Sequence, residues 1–330
     1  MGLENIQASI DLFACPRCGD DLNIRDDCIF CRRCLTTYGV DEGIPLFFEE
    51  CGPDGGLTNK MKRFYNENPF PGYEEIENVA DLIDKAEKSV FARMLNKQIP
   101  FGARILEIGC GTGQLTNYLA VAQRIVVGAD MSLSSLKLAQ EFKKRNGLER
   151  AIFCQMNLFR PAFPAGSFHV VISNGVLHHT GNPRLGFETI AKLVKKGGFL
   201  CLGLYNRFGR VLTDVRKVVF AATTDKLKFL DPHTRDRSLG RADIWFKDQY
   251  KNPHESKHTI GEVLRWFNQS NFEFCYGIPS PVFFEGFASS DLMFMQHSAG
   301  NFFGRIAAQV RSIPSGWRDG GLFIMIGRKK

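Results

Sequence analysis

The chain has no run approaching the roughly 18 consecutive apolar residues that a membrane-spanning helix needs, and residues 1–30 lack a basic stretch leading into an apolar one. The expectation is a soluble, cytoplasmic protein with no transmembrane segment. Internal repeats and low-complexity tracts are also missing. With 44% hydrophobic and 23% charged residues, a mainly disordered, collagen-like or coiled-coil chain is excluded. Strong charge of one sign is lacking too, the net being +7 from 42 basic and 35 acidic residues. Residues 205–265 hold 13 Lys/Arg against 8 Asp/Glu, a local basic region well short of the pervasive basicity of a dedicated nucleic-acid binder.

What the chain does have is size and a cysteine cluster. Its 330 residues exceed one small domain, so a large unit with a satellite is expected. Five of the ten cysteines fall between Cys15 and Cys34, a crowding that points to a metal in a reducing compartment rather than to a disulfide framework. Cys15/Cys18 and Cys31/Cys34 make two C-x2-C pairs twelve residues apart, aiming four thiolates at one tetrahedral Zn2+, with Gly19 freeing the first knuckle. Cys28/Cys31 is a competing pair. The segment Tyr38–Pro45 that follows resembles zinc-ribbon domains of tRNA-methyltransferase activator subunits, which favours Cys31/Cys34 and a structural zinc.

The chain divides by pattern. Residues 1–50 read as the ribbon, standing apart from the rest, and 51–99 as a turn-rich linker with a helix from about Val79 to Ile99. From residue 100 short β-type runs at 103–108, 124–129, 151–155, 168–173 and 198–204 alternate with helices near 113–122, 132–146 and 184–195. Such alternation predicts an α/β, doubly wound parallel sheet covered on both faces. It breaks at about 205–258 and 280–320, which read as insertions, and resumes with a helix at 260–269 and strands at 272–278 and 322–327.

The first strand runs into Glu107-Ile108-Gly109-Cys110-Gly111-Thr112-Gly113, where a helix begins. Glycines at such a turn allow backbone to approach a ligand, and the helix start adds N–H donors. A dinucleotide fingerprint fails because residue 114 is Gln. E-x-G-x-G-x-G is instead similar to the first motif of the class I S-adenosyl-L-methionine-dependent methyltransferases. Asp130 at the second strand end, Ser167–His179 and Leu193–Leu200 resemble further motifs of that family in the same order. The resemblance implies a seven-stranded Rossmann-like sheet, methyl transfer, and a cofactor held by Glu107, Gly109, Gly111, Gly113, Asp130, Met131, Asn157, Leu158 and Asn174. Asn157 and His169 stand where the family often has Asp; an Asn can still pair with an adenine edge, and His169 receives no role.

His254-Glu255-Ser256-Lys257-His258 spells a zinc-protease motif, but that chemistry needs one helix face. Pro253 before it and the capping box Thr259–Glu262 after it place a helix start at Thr259 and leave the histidines in a loop. His178 and His179 follow the fourth strand, where ligands collect, and are the candidates for a base or clamp on the acceptor. Tyr65, Tyr73, Tyr250, His254 and His258 are the candidate lid and substrate residues. Eight phenylalanines between Phe272 and Phe303 suit a helical cap or an apolar pocket, and the stretch 210–222 suits the cap or a peripheral membrane contact. The function expected is methylation of a small organic acceptor, an apolar one included. RNA methylation with the ribbon as docking arm, and an inactive cofactor-binding adaptor, remain the alternatives.

Overall fold

The computed structural model describes residues 4–25, 28–50, 55–231, 234, 239–283, 285–286 and 290–330. Residues 51–54 of the turn expected over 51–56, Arg235 and Arg237 of the basic stretch, and Phe284 and Phe287 of the phenylalanine-rich stretch lie outside them, while Gly55 and Gly56 open a helix instead of ending the turn.

After a short helix α1 (Glu4–Gln7), strands β1 (Leu22–Arg25), β2 (Cys28–Cys31) and β3 (Thr37–Tyr38) form a small antiparallel sheet, and β4 (Val40–Asp41) pairs with β5 (Ile44–Pro45). The connector is helical: α2 (Gly55–Glu67), α3 (Val79–Glu87) and α4 (Val90–Gln98). The single helix expected over 79–99 is two, because the Ser89 hydroxyl accepts from Ala92 N–H and starts a second helix there.

The main sheet has seven strands: β6 (Arg104–Ile108), β7 (Ile125–Asp130), β8 (Ala151–Gln155), β9 (Phe168–Asn174), β10 (Val194–Tyr205), β11 (Phe272–Ile278) and β12 (Leu322–Lys329). Their order is β8-β7-β6-β9-β10-β12-β11, parallel except for β12, which runs antiparallel to both neighbours. Successive residues face opposite layers. Ile105 packs with Val126, Val170 and Ile172 on one side, and Leu106 with Val127 and Val171 on the other. Helices α5 (Gln114–Val121), α6 (Leu133–Arg145) and α7 (Pro183–Ala191) connect the parallel strands, as the alternation predicts. The order reverses between β6 and β9, and a crevice opens there beyond the strands' carboxyl ends.

Between β10 and β11 lie α8 (Val211–Ala222), α9 (Leu239–Tyr250) and α10 (Ile260–Gln269), and α11 (Phe302–Asp319) lies between β11 and β12. Helix α10 starts where its cap predicts: Thr259 Oγ1 accepts from Glu262 N–H. On α8 and α11, Val215, Val218, Phe302 and Phe303 are exposed, while Phe294 packs on Phe199.

The ribbon does not stand apart from the sheet. Leu46 bridges Gln155 in parallel at the free edge of β8, where Phe47 N–H donates to Gln155 O at 2.8 Å. Phe47 is fully buried against Phe13 and Tyr38, in one core with Met156 and Phe163. Lys137 of α6 pairs with Asp41 and Glu42.

Candidate active site

The glycine loop turns three times through positive φ, at Gly109, Gly111 and Gly113. A side chain at Gly111 would put Cβ 2.2 Å from Phe70 O, so only glycine suits both the backbone and the neighbour. Over this loop lies the segment Phe70–Tyr73. Thr112 N–H donates to Phe70 O, Gln114 Nε2 donates to Gly72 O, and Tyr73 O–H donates to Thr112 O.

A cavity of about 490 Å³ opens beside the loop, in the range usual for small-molecule sites. It runs across the carboxyl ends of the strands from Asp130 on β7, past Glu107 on β6 and Asn174 on β9, to Tyr205 on β10. Asp130 accepts from the N–H groups of Gly111 and Ser132, both at 2.8 Å; burial raises its pKa, and these bonds oppose the rise. Glu107 accepts from Thr116 Oγ1, and burial pushes its carboxyl up to about 8. Met131, Met156 and Leu158 give the Asp130 end an apolar wall. Asn157 lines the cavity, but Nδ2 donates to Glu49 O of the ribbon and Oδ1 accepts from Phe159 N–H. Asn174 Oδ1 is buried with no hydrogen-bond partner among the described residues.

This end suits the adenosyl cofactor that the sequence implies. Two carboxyl groups are set against a glycine turn and an apolar slot, and a buried amide oxygen is left to accept.

At the Tyr205 end the two histidines separate. His178 is fully buried behind the wall, its ring stacked on Tyr205 at 3.8 Å, with neither nitrogen hydrogen-bonded among the described residues. His179 lines the cavity. Its Nδ1 lies 2.8 Å from His254 O, and a carbonyl can only accept, so Nδ1 carries the proton and Nε2 a free lone pair. Burial lowers the pKa of His179 and takes that of His178 well down, which keeps both rings neutral at pH 7.

Of the other candidates, Tyr65 reaches the cavity from α2, where Leu57 and Met61 share its face. Tyr73 stacks on Phe142 and does not line the cavity. Tyr250 turns away, donating to Asp231 and packing on Phe220 and Phe246. His254 contributes its carbonyl, and His258 lies between Ser256 and Glu262. The segment 254–258 is not helical, and Glu255 instead pairs at 2.6 Å with Arg210, both buried. His169 Nδ1 accepts from Arg104 N–H at the start of β6. None of the described phenylalanines from Phe272 to Phe303 lines the cavity. Asp248 and Gln249 of α9, with Trp245 and Tyr205, do line it and were not singled out from sequence.

In the ribbon the thiols of Cys15, Cys18, Cys31 and Cys34 all lie within 4.8 Å of one another, with Cys15–Cys34 and Cys18–Cys31 at 3.5 Å. Tetrahedral zinc with bonds of about 2.3 Å holds sulfurs about 3.8 Å apart, so the set fits that ion. Cys28 is outside it, facing Arg25 O.

Residues 106–202 match the family model described as methyltransferase domain. A ubiquinone biosynthesis O-methyltransferase from Dinoroseobacter shibae is 30% identical over 173 residues, covering 50% of this chain and 69% of that protein. One of the same name from Cronobacter sakazakii is 30% identical over 168 residues, 49% and 65% of the two chains. The structure of PKMT2 from Rickettsia typhi in complex with AdoHcy superposes with a TM-score of 0.50 at 12% identity, over 74% of this chain and 52% of that one. The chain spans about half to two thirds of the length of the first curated relatives it matches. It belongs to the class I S-adenosylmethionine-dependent methyltransferases. No helix among the described residues is long and apolar enough to cross a membrane.

Proposed function

We propose that the protein moves the methyl group of S-adenosylmethionine to a proton-bearing nucleophile on a small organic acceptor, with His179 as the base. One observation carries this reading: a neutral imidazole, its Nδ1 tied to His254 O, keeps Nε2 free in the wall of the cavity. When bound, the cofactor supplies an electrophilic sulfonium methyl. Asp130 and Glu107 would hold the sugar side, and Met131, Met156 and Leu158 the base, beside Asn157, whose amide is already bonded to Glu49 O and Phe159 N–H. His179 Nε2 takes the acceptor's proton, and Asp248 nearby stabilises the imidazolium that forms. The relatives named for ubiquinone biosynthesis support a small acceptor, as does a cavity roofed by α2 and α9.

In this reading residues 100–330 carry catalysis, with 205–258 and 280–320 as insertions. Residues 51–99 cover the site, and 1–50 form a ribbon whose four thiolates hold a structural zinc. The test is turnover of metabolite extracts with labelled cofactor. His179→Ala is expected to slow transfer by about 10²-fold or more with cofactor affinity nearly unchanged, and His178→Ala to act mainly on stability. Equal turnover by His179→Ala and wild type would remove this base; cofactor bound with no acceptor ever methylated would point to an adaptor.

A further inference from the structure

Beside His179 the cavity wall contains a carboxylate that has no cation. Asp248 is 8% exposed. Its two oxygens accept from Tyr65 O–H at 3.1 Å and Gln249 Nε2 at 3.0 Å. Tyr65 must be the donor, because its own oxygen already accepts from Asn252 Nδ2 at 2.9 Å. Burial raises the pKa of Asp248, and both bonds, with the neighbouring His179 and Arg210, oppose the rise. Among the described residues no lysine or arginine lies within ion-pair distance. Arg210, whose charge acts on Asp248, is committed to Glu255 and to Gln249 Oε1.

The polarity of this wall is fixed all round. Gln249 gives its amide hydrogens to Asp248 and Tyr205, and His179 gives its Nδ1 hydrogen to His254 O. Asp248 and His179 line the cavity beside Tyr205, and no described residue gives a hydrogen to His179 Nε2 or a further one to the carboxylate. A buried charge left alone is costly, and the groups here lack hydrogens rather than acceptors. From Tyr65 the same face of α2 carries Met61 and Leu57 along the cavity, one and two turns away.

Resting on the reading of the site as a methyl-transfer centre, we infer that the acceptor is an amphiphilic amine, bound as its ammonium ion by Asp248 with its apolar body along the Leu57–Met61 face of α2. The ion supplies both the missing hydrogens and the missing charge. One N–H proton then passes to His179 Nε2, freeing the nitrogen lone pair that takes the methyl while the C–S pair stays on the donor's sulfur. Tyr65 and Gln249 hold the carboxylate in position; they are positioning residues.

Calorimetry on the protein loaded with S-adenosylhomocysteine tests this with 4-phenylbutylamine and 4-phenylbutan-1-ol, equal in shape, at about pH 7.5, where the amine is protonated. The amine is expected to bind at least about tenfold more tightly than the alcohol. Asp248→Asn is expected to bring the pair within about twofold of each other while leaving S-adenosylhomocysteine affinity within about threefold. Should that variant not fold, Asp248→Ser takes its place. Equal or tighter binding of the alcohol to wild type overturns the inference whatever the variants do. So does an amine preference that survives loss of the carboxylate, which would make Asp248 a structural brace. Methylation of a neutral acceptor with no amine preference leaves the methyltransferase reading intact and removes only the ammonium site. Failure of wild type to bind S-adenosylhomocysteine removes both.

Discussion

Stripping zinc from the ribbon is expected to weaken cofactor binding, because three hydrogen bonds join the ribbon's tail to the cavity wall. The ribbon's tail donates Phe47 N–H to Gln155 O, Gln155 Nε2 in turn donates to Met131 O, and Asn157 Nδ2 donates to Glu49 O. Met131 and Asn157 line the cofactor end of the cavity. Without its metal a structural zinc site unfolds, so Cys15→Ser with Cys18→Ser, or chelation, should release this tail. Phe47, fully buried, would leave its core at a cost of about 3–5 kcal/mol to the fold. Two hydrogen bonds at about 1 kcal/mol each no longer hold the wall, which puts the loss in cofactor affinity near 2 kcal/mol, about thirtyfold in Kd. Calorimetry of cofactor binding to zinc-loaded and zinc-stripped protein, with elemental analysis of both, measures it. Equal affinity with the zinc demonstrably gone would refute the coupling, and wild type purified without zinc would refute the metal itself.

Further tests address single groups. Gly111→Ala, which forces Cβ onto Phe70 O at a positive φ, is expected to lower cofactor affinity at least about tenfold with the fold retained by circular dichroism. Transfer should fall as pH falls, with a midpoint below the ordinary imidazole value of 6.5, because burial lowers the pKa of His179 and the neutral ring is the base; a rate limb centred above 6.5 would contradict this. Both His178 and His179 have folded pKa values below 6.5, so their contribution to stability should be lost as pH drops from 6.5 through those values, seen as a lower urea midpoint. Glu107 behaves oppositely. Raised to about 8 from 4.5, it contributes fully below 4.5, and that contribution is lost as pH climbs through about 8. Glu107→Gln should therefore flatten the alkaline fall in Tm of the cofactor-free protein.

Much of this was legible in sequence where the signal is local. The strand ending at Asp130, the cap at Thr259 and the four cysteines are short-range patterns, and the structure has them where the patterns put them. The docking of the ribbon was not legible. Leu46-Phe47-Phe48 reads as the close of a unit, and its partner Gln155 on β8 is set by tertiary packing with no local mark. Asp248 was hidden by helix phase. It sits two residues before Tyr250, about 200° around the axis, so the aromatic residue that drew notice faces the Phe220 cluster while the acid faces the cavity. The adjacent histidines divide in the same way, one stacked behind the wall and one in it.

The segment from Tyr65 to Tyr73 touches both ends of the cavity. Tyr65 holds Asp248, and five to eight residues later Phe70, Gly72 and Tyr73 are bonded to the glycine loop. A single stretch of chain thus latches Asp248 to the glycine loop. On the proposed reading, lifting it to discharge spent cofactor would also loosen the grip on the methylated product, so that the two departures would share one door. Kinetically, exchange of the two ligands should be correlated: a substitution that loosens the latch, such as Tyr73→Phe, would quicken the release of both, and would leave the order of arrival less strictly enforced.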